Sequence, residues 1–425
     1  MPPIAGQSWS DAAPLARIAG AVGTPVYVYG AEPVRRQYGA LDTALAGLPH
    51  RIHYSVKANG SLALLRLLRE LGAGVDVVSG GELYLALRAG FGAADIVFGG
   101  VGKTAREIEE ALDARVQLIN AESEGEVTLI NDLAGARGVV ARVGLRVNPE
   151  VTVDTPHAYT RTGERGSKFG VSVDDSMPVA RRIRGLPNVR LACLDMHIGS
   201  QIAGVQPYER ALARLLDVVR ALHADGLDSD LQFLDIGGGL AVSYDGGDGI
   251  DVSAFSRAVT GAVGPTGLTL LVEPGRFLVG NAGVLLTRVL YRKQSGGKTY
   301  VVTDAGMTEL LRPSHYQAYH RIDVVASPSG EPKAPRTTVD VVGPVCESGD
   351  FFAQDRELDR ADAGDLLAIH SAGAYGFAMA SNYNARVRPP EVLVDGDGYA
   401  VVRTRETYGD LVRHEVDAPI VWVTN

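Results

Sequence analysis

Between residues 50 and 275, short β-rich runs alternate with amphipathic stretches of helix length. No other feature constrains the fold as strongly, because strands joined through helices lie parallel in one sheet with the helices packed against it. The candidate strands are residues 52–57, 75–78, 95–98, 116–119, 142–147, 191–197, 231–236 and 268–273, and eight such units close on themselves as a (β/α)8 barrel. Helical stripes lie between them. Leu64, Leu65, Leu68 and Leu71 end at Gly72, and Ala211, Leu212, Leu215, Leu216 and Val219 precede Gly226. From about residue 280 the texture changes to β-rich runs over 284–291, 300–303, 338–342 and 366–369, with loops expected at 295–297 and 327–335. Little helix separates these runs, so the expected class is α/β, a barrel followed by a mainly β domain. No internal repeat or low-complexity segment interrupts the pattern.

A chain of 425 residues, 46% hydrophobic and 21% charged, can bury a large core and is long enough for two or three domains. Its net charge of −9 and the absence of a Lys/Arg block argue against nucleic acid as a partner. An anionic substrate must therefore meet locally placed arginines. The two cysteines, Cys193 and Cys346, lie far apart and support neither a disulfide framework nor a cysteine-rich metal site. A reducing cytoplasm fits that usage. The amino-terminal residues 1–5 do not read as a charged export leader, and no run reaches the roughly 18 apolar residues of a membrane span, so neither export nor insertion is expected.

In such a barrel the chemistry sits at the carboxyl ends of the strands. The first run, Tyr54-Ser55-Val56-Lys57-Ala58-Asn59, alternates apolar Ile52, Tyr54 and Val56 with His53, Ser55 and Lys57, so as a strand one face is apolar and the other leads to an amine. Strand six ends at His197-Ile198-Gly199-Ser200, strand seven at Asp235-Ile236-Gly237-Gly238-Gly239, and strand eight at Glu273-Pro274-Gly275-Arg276. A lone strand-end lysine is usually a solvated terminus, three glycines are more often a turn, and a strand-end histidine is commonly structural. Their joint placement on one rim points instead to pyridoxal phosphate. Lys57 is then the Schiff-base former, the glycines offer backbone N–H groups to the phosphate, Glu273 faces the pyridine nitrogen, and His197 stacks on the ring. Gly102-Lys103-Thr104 looks like the end of a phosphate-binding P-loop, but that motif needs glycine where Val97 stands.

These residues resemble the alanine-racemase-like, fold type III pyridoxal-phosphate decarboxylases, and within them the branch acting on meso-diaminopimelate. The similarity runs from Thr24-Pro25-Val26-Tyr27-Val28-Tyr29 through the Lys57 segment, Gly74 to Glu82, Ser167-Lys168-Phe169-Gly170, His197 to Gln201 and Glu273 to Arg276. It continues in the β-rich part through Asp304-Ala305-Gly306-Met307, Arg312-Pro313-Ser314-His315-Tyr316, Cys346-Glu347-Ser348-Gly349-Asp350 and Ala372-Gly373-Ala374-Tyr375-Gly376. The Cys-Glu-Ser-Gly-Asp and Arg-Pro-x-x-Tyr runs are the specific ones. Where relatives usually read Gly-Gly-Gly-Leu-Gly, this chain has Gly237-Gly238-Gly239-Leu240-Ala241, which is expected to shift the phosphate loop slightly.

The resemblance implies a barrel over 31–277 and a β-rich domain over 278–425, to which residues 1–30 contribute. It also implies a homodimer with shared active sites. Cofactor contacts then fall to Lys57, Asp76, His197, Ser200, Gly237, Gly238, Gly239, Glu273, Gly275, Arg276 and Tyr375. Substrate contacts fall to Arg276, Arg312, Tyr316, Glu347 and Tyr375, and no metal is implied. Lys57, His197 and Cys346 would carry the catalysis, with Cys346 and Glu347 reaching the neighbouring subunit's cofactor and the cysteine returning a proton after carbon dioxide leaves. The distal carboxylate and ammonium of meso-diaminopimelate call for arginine and an acid respectively. Two other readings remain: a decarboxylase of ornithine, lysine or a carrier-bound residue, and a catalytically silent cofactor-binding regulator. The pairing of Arg276 with Arg312 favours a dicarboxylate, and the β-rich domain and Cys346 favour an enzyme.

Overall fold

A computed structural model describes residues 10–153, 155–247, 249–326 and 335–415. Residues 1–5 and most of the loop expected at 327–335 lie outside the described residues. Strand β1 (Val26–Gly30) is followed by β2 (His50–Ser55), β3 (Gly74–Val77), β4 (Ile96–Phe98), β5 (Leu118–Ala121), β6 (Ala141–Asn148), the two-residue β7 (Val171–Ser172), β8 (Val189–Asp195), β9 (Phe233–Asp235) and β10 (Thr269–Val272). Strands β2, β3, β4, β5, β6, β8, β9 and β10 pair in that order, all parallel, and β10 pairs back to β2, which closes the expected eight-stranded barrel. Short β7 attaches only to the carboxyl end of β6.

Several boundaries differ from expectation for identifiable reasons. The first barrel strand stops at Ser55, and Lys57 lies in the 3-10 turn Val56–Ala58 that follows it. His197 likewise sits two residues beyond the end of β8. The fourth expected run, 116–119, is observed two residues later as β5. Val116 closes the preceding helix by donating its N–H to Ala111 O after Arg115 turns left-handed, a helix-ending arrangement that outweighs valine's preference for strands.

The second sheet comprises β1 with β11 (Gly283–Ser295), β12 (Lys298–Thr303), β13 (Ile322–Ala326), β14 (Thr337–Val342), β15 (Phe351–Leu358), β16 (Leu366–Ile369), β17 (Glu391–Asp395) and β18 (Gly398–Arg403). Its order is β15-β14-β12-β11-β1-β17-β18, with β16 and β13 branching from β11. The amino-terminal strand is therefore central in a sheet whose other strands all come from the far end of the chain. Helix Ala12–Val22 covers one face of it, burying Leu15, Ile18 and Ala19 against Val26, Val28, Val284 and Leu286. On the other side the core is continuous with the barrel, joining Leu285, Val301 and Ile369 to Tyr54, Val75 and Leu278. Among the described residues no helix is long and apolar enough to cross a membrane.

Candidate active site

The inward-facing positions of the barrel strands become polar at their carboxyl ends. Ser55 Oγ lies 3.0 Å from both Asp76 Oδ2 and the Glu273 carbonyl, and Lys57 Nζ donates to the same Asp76 oxygen at 3.2 Å. Asp76 is buried in β3, whereas 37% of the Lys57 side chain remains exposed. Burial works against the charge on this amine, but Asp76, Tyr375 and Glu273 outweigh it and hold the lysine pKa above its ordinary value. Without a carbonyl partner Lys57 is a firm ammonium, and accessible to one.

Asp195, Asp235 and Glu273 form a buried carboxylate cluster, with one oxygen from each lying within 4.8 Å of the others. Asp235 Oδ1 accepts from Gly237 N–H, but Asp235 Oδ2 and Asp195 Oδ1 have no hydrogen-bond partner. Three close, desolvated carboxyls cannot all ionise. Burial and then the charges of Asp235, Asp76 and Asp195 push the Glu273 pKa well up. His197 is pushed the other way by burial, Lys57 and Arg146. Its Nδ1 accepts from Gly238 N–H at 3.1 Å, which fixes the neutral tautomer with the proton on Nε2.

The glycine run is required by space as well as by dihedral angle. Gly237 and Gly239 have φ of 67° and 91°. A Cβ on Gly238 would overlap the Glu273 carbonyl, and one on Gly237 would meet the His197 ring. Gly275 passes close to Ala58 and Ser55, where a Cβ would sit at 3.0 and 3.1 Å from theirs. Ala241 is buried at an ordinary backbone angle, donating to Ile202 O, so the alanine brings no dihedral strain to the loop.

From the second sheet come Arg312 and Tyr316, on the short helix Arg312–Tyr316, and Tyr375, in the loop after β16. Tyr375 has φ 55°, a left-handed angle unusual for an aromatic residue, and its N–H donates to Ala58 O at 2.8 Å beside Lys57. Arg276 stacks 4.7 Å over the Tyr375 ring, donates to Ser200 Oγ, and reaches Tyr244 Oη at 2.6 Å. Arg312 packs over the other part of Tyr244, 4.6 Å from the ring centroid. Both arginines are buried, and among the described residues neither pairs with a carboxylate. The Arg312 Nε–H is buried without an acceptor. A cavity of about 580 Å³ opens between the two domains, lined by His197, Ser200, Arg276, Arg312, Tyr316 and Tyr375 among others.

The structure thus gathers Lys57, Asp76, His197, Ser200, the three glycines, Glu273, Gly275, Arg276, Arg312, Tyr316 and Tyr375 at one rim. Cys346 and Glu347 do not line the cavity of their own chain and are exposed on a loop held by Asp350, which accepts from Met307 and Val345 N–H groups. Sequence reasoning missed Asp195, Tyr244 and His320, and gave no role to Asp235, which it placed at the end of strand seven. The two aspartates carried a signal, an aspartate interrupting an apolar strand just before its chemical end. Tyr244 and His320 carried none.

Residues 31–280 match the family described as "Pyridoxal-dependent decarboxylase, pyridoxal binding domain". The chain is 45% identical over 405 residues to a diaminopimelate decarboxylase of Neisseria meningitidis, covering 95% of this chain and 97% of that protein. A Pseudomonas aeruginosa diaminopimelate decarboxylase is 44% identical over 407 residues, covering 96% of each. Among solved structures, diaminopimelate decarboxylase from Helicobacter pylori complexed with L-lysine superposes with a TM-score of 0.89 at 37% identity, covering 94% of this chain and 99% of that one. The site fits pyridoxal phosphate on its own geometry: a glycine cradle that admits no side chain, a partly exposed amine, a buried carboxyl, and arginines with no carboxylate partner among the described residues.

Proposed function

The chain belongs to the diaminopimelate decarboxylase family of pyridoxal-phosphate enzymes, and on that premise we propose that it converts meso-2,6-diaminopimelate to L-lysine and carbon dioxide, the last step of lysine biosynthesis. The observation that carries the reading is the pair Arg276 and Arg312, buried at the junction of the two domains with no carboxylate among the described residues to neutralise them. Burying two such cations is costly unless an anion arrives.

When bound, pyridoxal phosphate draws electrons from the substrate carbon that loses its carboxylate. Lys57 would hold the cofactor covalently, while the amides around Gly237, Gly238, Gly239 and Gly275, with Ser200 and Arg276, would hold its phosphate. Asp76 keeps the lysine amine aimed into the rim, the Glu273 carboxyl would pair with the ring nitrogen and keep it protonated, and neutral His197 would offer a flat face for stacking. Arg312, with Tyr316, would clamp the distal carboxylate, and Tyr375 would touch both cofactor and substrate. The exposed loop bearing Cys346 and Glu347 would complete the site of a second copy, Cys346 donating the proton that replaces carbon dioxide and Glu347 taking the distal ammonium. A homodimer in the cytoplasm follows from this reading.

An ornithine-type decarboxylase has no use for a second buried arginine, and a silent cofactor carrier needs none beyond Arg276 at the phosphate. Carbon dioxide release separates the three. Measured against meso-diaminopimelate, its LL and DD isomers, L-ornithine and L-lysine, turnover should be confined to the meso isomer. Faster release from ornithine or lysine would overturn the assignment, and release from none would favour the carrier.

A further inference from the structure

Arg312 is held by a device that leaves its charge intact. Its Nη1 donates to His320 Nε2 at 2.9 Å, and His320 Nδ1 lies 2.7 Å from the His370 carbonyl oxygen. A carbonyl only accepts, so the imidazole proton is on Nδ1 and Nε2 keeps its lone pair for the guanidinium. The ring is completely buried, and burial followed by the charge of Arg312 lowers its pKa to about 3. The charged groups around it are Arg312, Arg276 and Arg356, the last donating to the His320 carbonyl; all three disfavour a second proton, and the hydrogen bond to the His370 carbonyl only partly offsets them. The His320 edge also meets the Tyr244 ring at 5.1 Å, and Tyr244 is the aromatic floor under Arg312.

We propose that His320 is a specificity-positioning residue, a neutral acceptor that fixes the orientation of Arg312 so that its undiminished charge and free Nε–H meet the distal carboxylate of the substrate. The proposal rests on the dicarboxylate reading above. The usual partner for a buried arginine is a carboxylate, which would align the fork equally well but neutralise it and compete with the incoming anion. Imidazole anchored through Nδ1 supplies alignment without that competition. The carbonyl of His370 makes the alignment rigid, since a flipped ring would turn C–H groups to both partners and the other tautomer would set an N–H against the arginine donor.

The test compares His320→Leu with His320→Gln in the holoenzyme. Leucine packs in the space but accepts nothing. Glutamine can accept from Arg312 through its oxygen and donate to His370 O through its amide nitrogen. For meso-diaminopimelate the leucine variant should raise KM roughly 10- to 100-fold, the range of a hydrogen bond to a charged group, with kcat and the cofactor absorbance little changed. The glutamine variant should recover most of that loss. Where leucine prevents folding, His320→Asn serves, its amide being one methylene too short to span both partners. Calorimetric titration with pimelate, a plain dicarboxylate, should show the same pattern of weakening and rescue without turnover. If wild type fails to release carbon dioxide from meso-diaminopimelate, the functional reading falls, and the pimelate titration still decides the role of His320. Equal impairment of the glutamine and leucine variants, an effect confined to kcat, or an unchanged KM and pimelate affinity would overturn it.

Discussion

Replacing Lys103 by methionine should destabilise the fold while leaving chemistry untouched, although Gly102-Lys103-Thr104 looks like a phosphate-binding sequence. The ammonium is 1% exposed and uses all three of its donors, on Gly100 O at 2.8 Å, Asn120 O at 2.6 Å and Glu126 Oε1 at 2.7 Å. Thr104 is the N-cap of helix Ala105–Ala114, in a reciprocal capping box with Glu107. Methionine fills the volume but abandons two buried carbonyls and a carboxylate that is 10% exposed. Stranding one member of a buried pair costs about 3–5 kcal/mol. Glu126 Oε2 also caps the Glu122 N–H at 2.8 Å, so the compensating change is glutamine, which preserves that bond and removes the stranded charge. Lys103→Met/Glu126→Gln should therefore recover about half the loss. Equilibrium urea unfolding, with midpoints compared at constant slope, reads both values. A single variant as stable as wild type, or one that lost affinity for inorganic phosphate at unchanged stability, would refute the structural reading.

Three further outcomes are expected. Lys57→Ala should abolish borohydride trapping of the cofactor, and label persisting on another lysine with turnover intact would reassign the attachment site. Mixing inactive Lys57→Ala and Cys346→Ala subunits under demonstrated exchange should restore up to about a quarter of wild-type activity, the share of sites with both residues intact in a random two-fold dimer; a mixture that stays dead would sink the shared site. His53 is fully buried in β2, bonded to Gln117, and burial lowers its pKa from 6.5 to about 4. Its contribution to stability is present above pH 6.5 and is lost as pH falls through 4, roughly 3 kcal/mol by linkage. His53→Gln, which keeps an amide partner for Gln117, should flatten thermal stability across that window, and an unchanged acid slope would clear His53 of the effect.

The barrel was legible because its signal is periodic. Apolar runs of four to eight residues separated by helical stripes have few other solutions, and closure follows from their number. Where boundaries slipped, a local rule had overridden a composition rule, as at Val116, which ends a helix before a strand begins. The second sheet was less legible. Its strand β18 exposes most of its side chains and β1 is contributed by the opposite end of the chain, so alternation is weak and pairing is remote in sequence. Ser79 and Glu82, within the stretch of resemblance from Gly74 to Glu82, shape the local backbone, since Ser79 caps helix Gly80–Ala89 and Glu82 accepts from Val78 N–H. The rim residues could be named because a lysine, a histidine, a glycine run and a glutamate at strand ends are conspicuous. Tyr244 and His320 are picked out by their contacts with Arg276 and Arg312, and contacts of that kind leave no spacing in a sequence.

The division of labour between the two domains explains why the site needs both. Lys57, His197, Glu273 and Arg276 belong to the barrel rim, whereas Arg312, Tyr316 and Tyr375 follow the strands of the second sheet. The seam between them is built at the lysine itself. Asn59, whose carbonyl accepts from the Tyr54 hydroxyl, donates through Nδ2 to Gly373 O at 3.0 Å, and Tyr375 N–H donates to Ala58 O two residues later in the same loop. Those bonds hold Tyr375 at its positive φ, a conformation that costs of order 1 kcal/mol and persists only where its surroundings over-determine it. In return the ring lies against Arg276 and beside the lysine. A barrel cut away at residue 280 would keep its amine, glycines and carboxyl cluster. It would also lose the strand partners of Val26–Gly30, the aromatic ring that orders Arg276, and the arginine that we assign to the far carboxylate. Cofactor attachment and substrate choice are thus separable in sequence, but they meet across a few hydrogen bonds at Ala58 and Asn59.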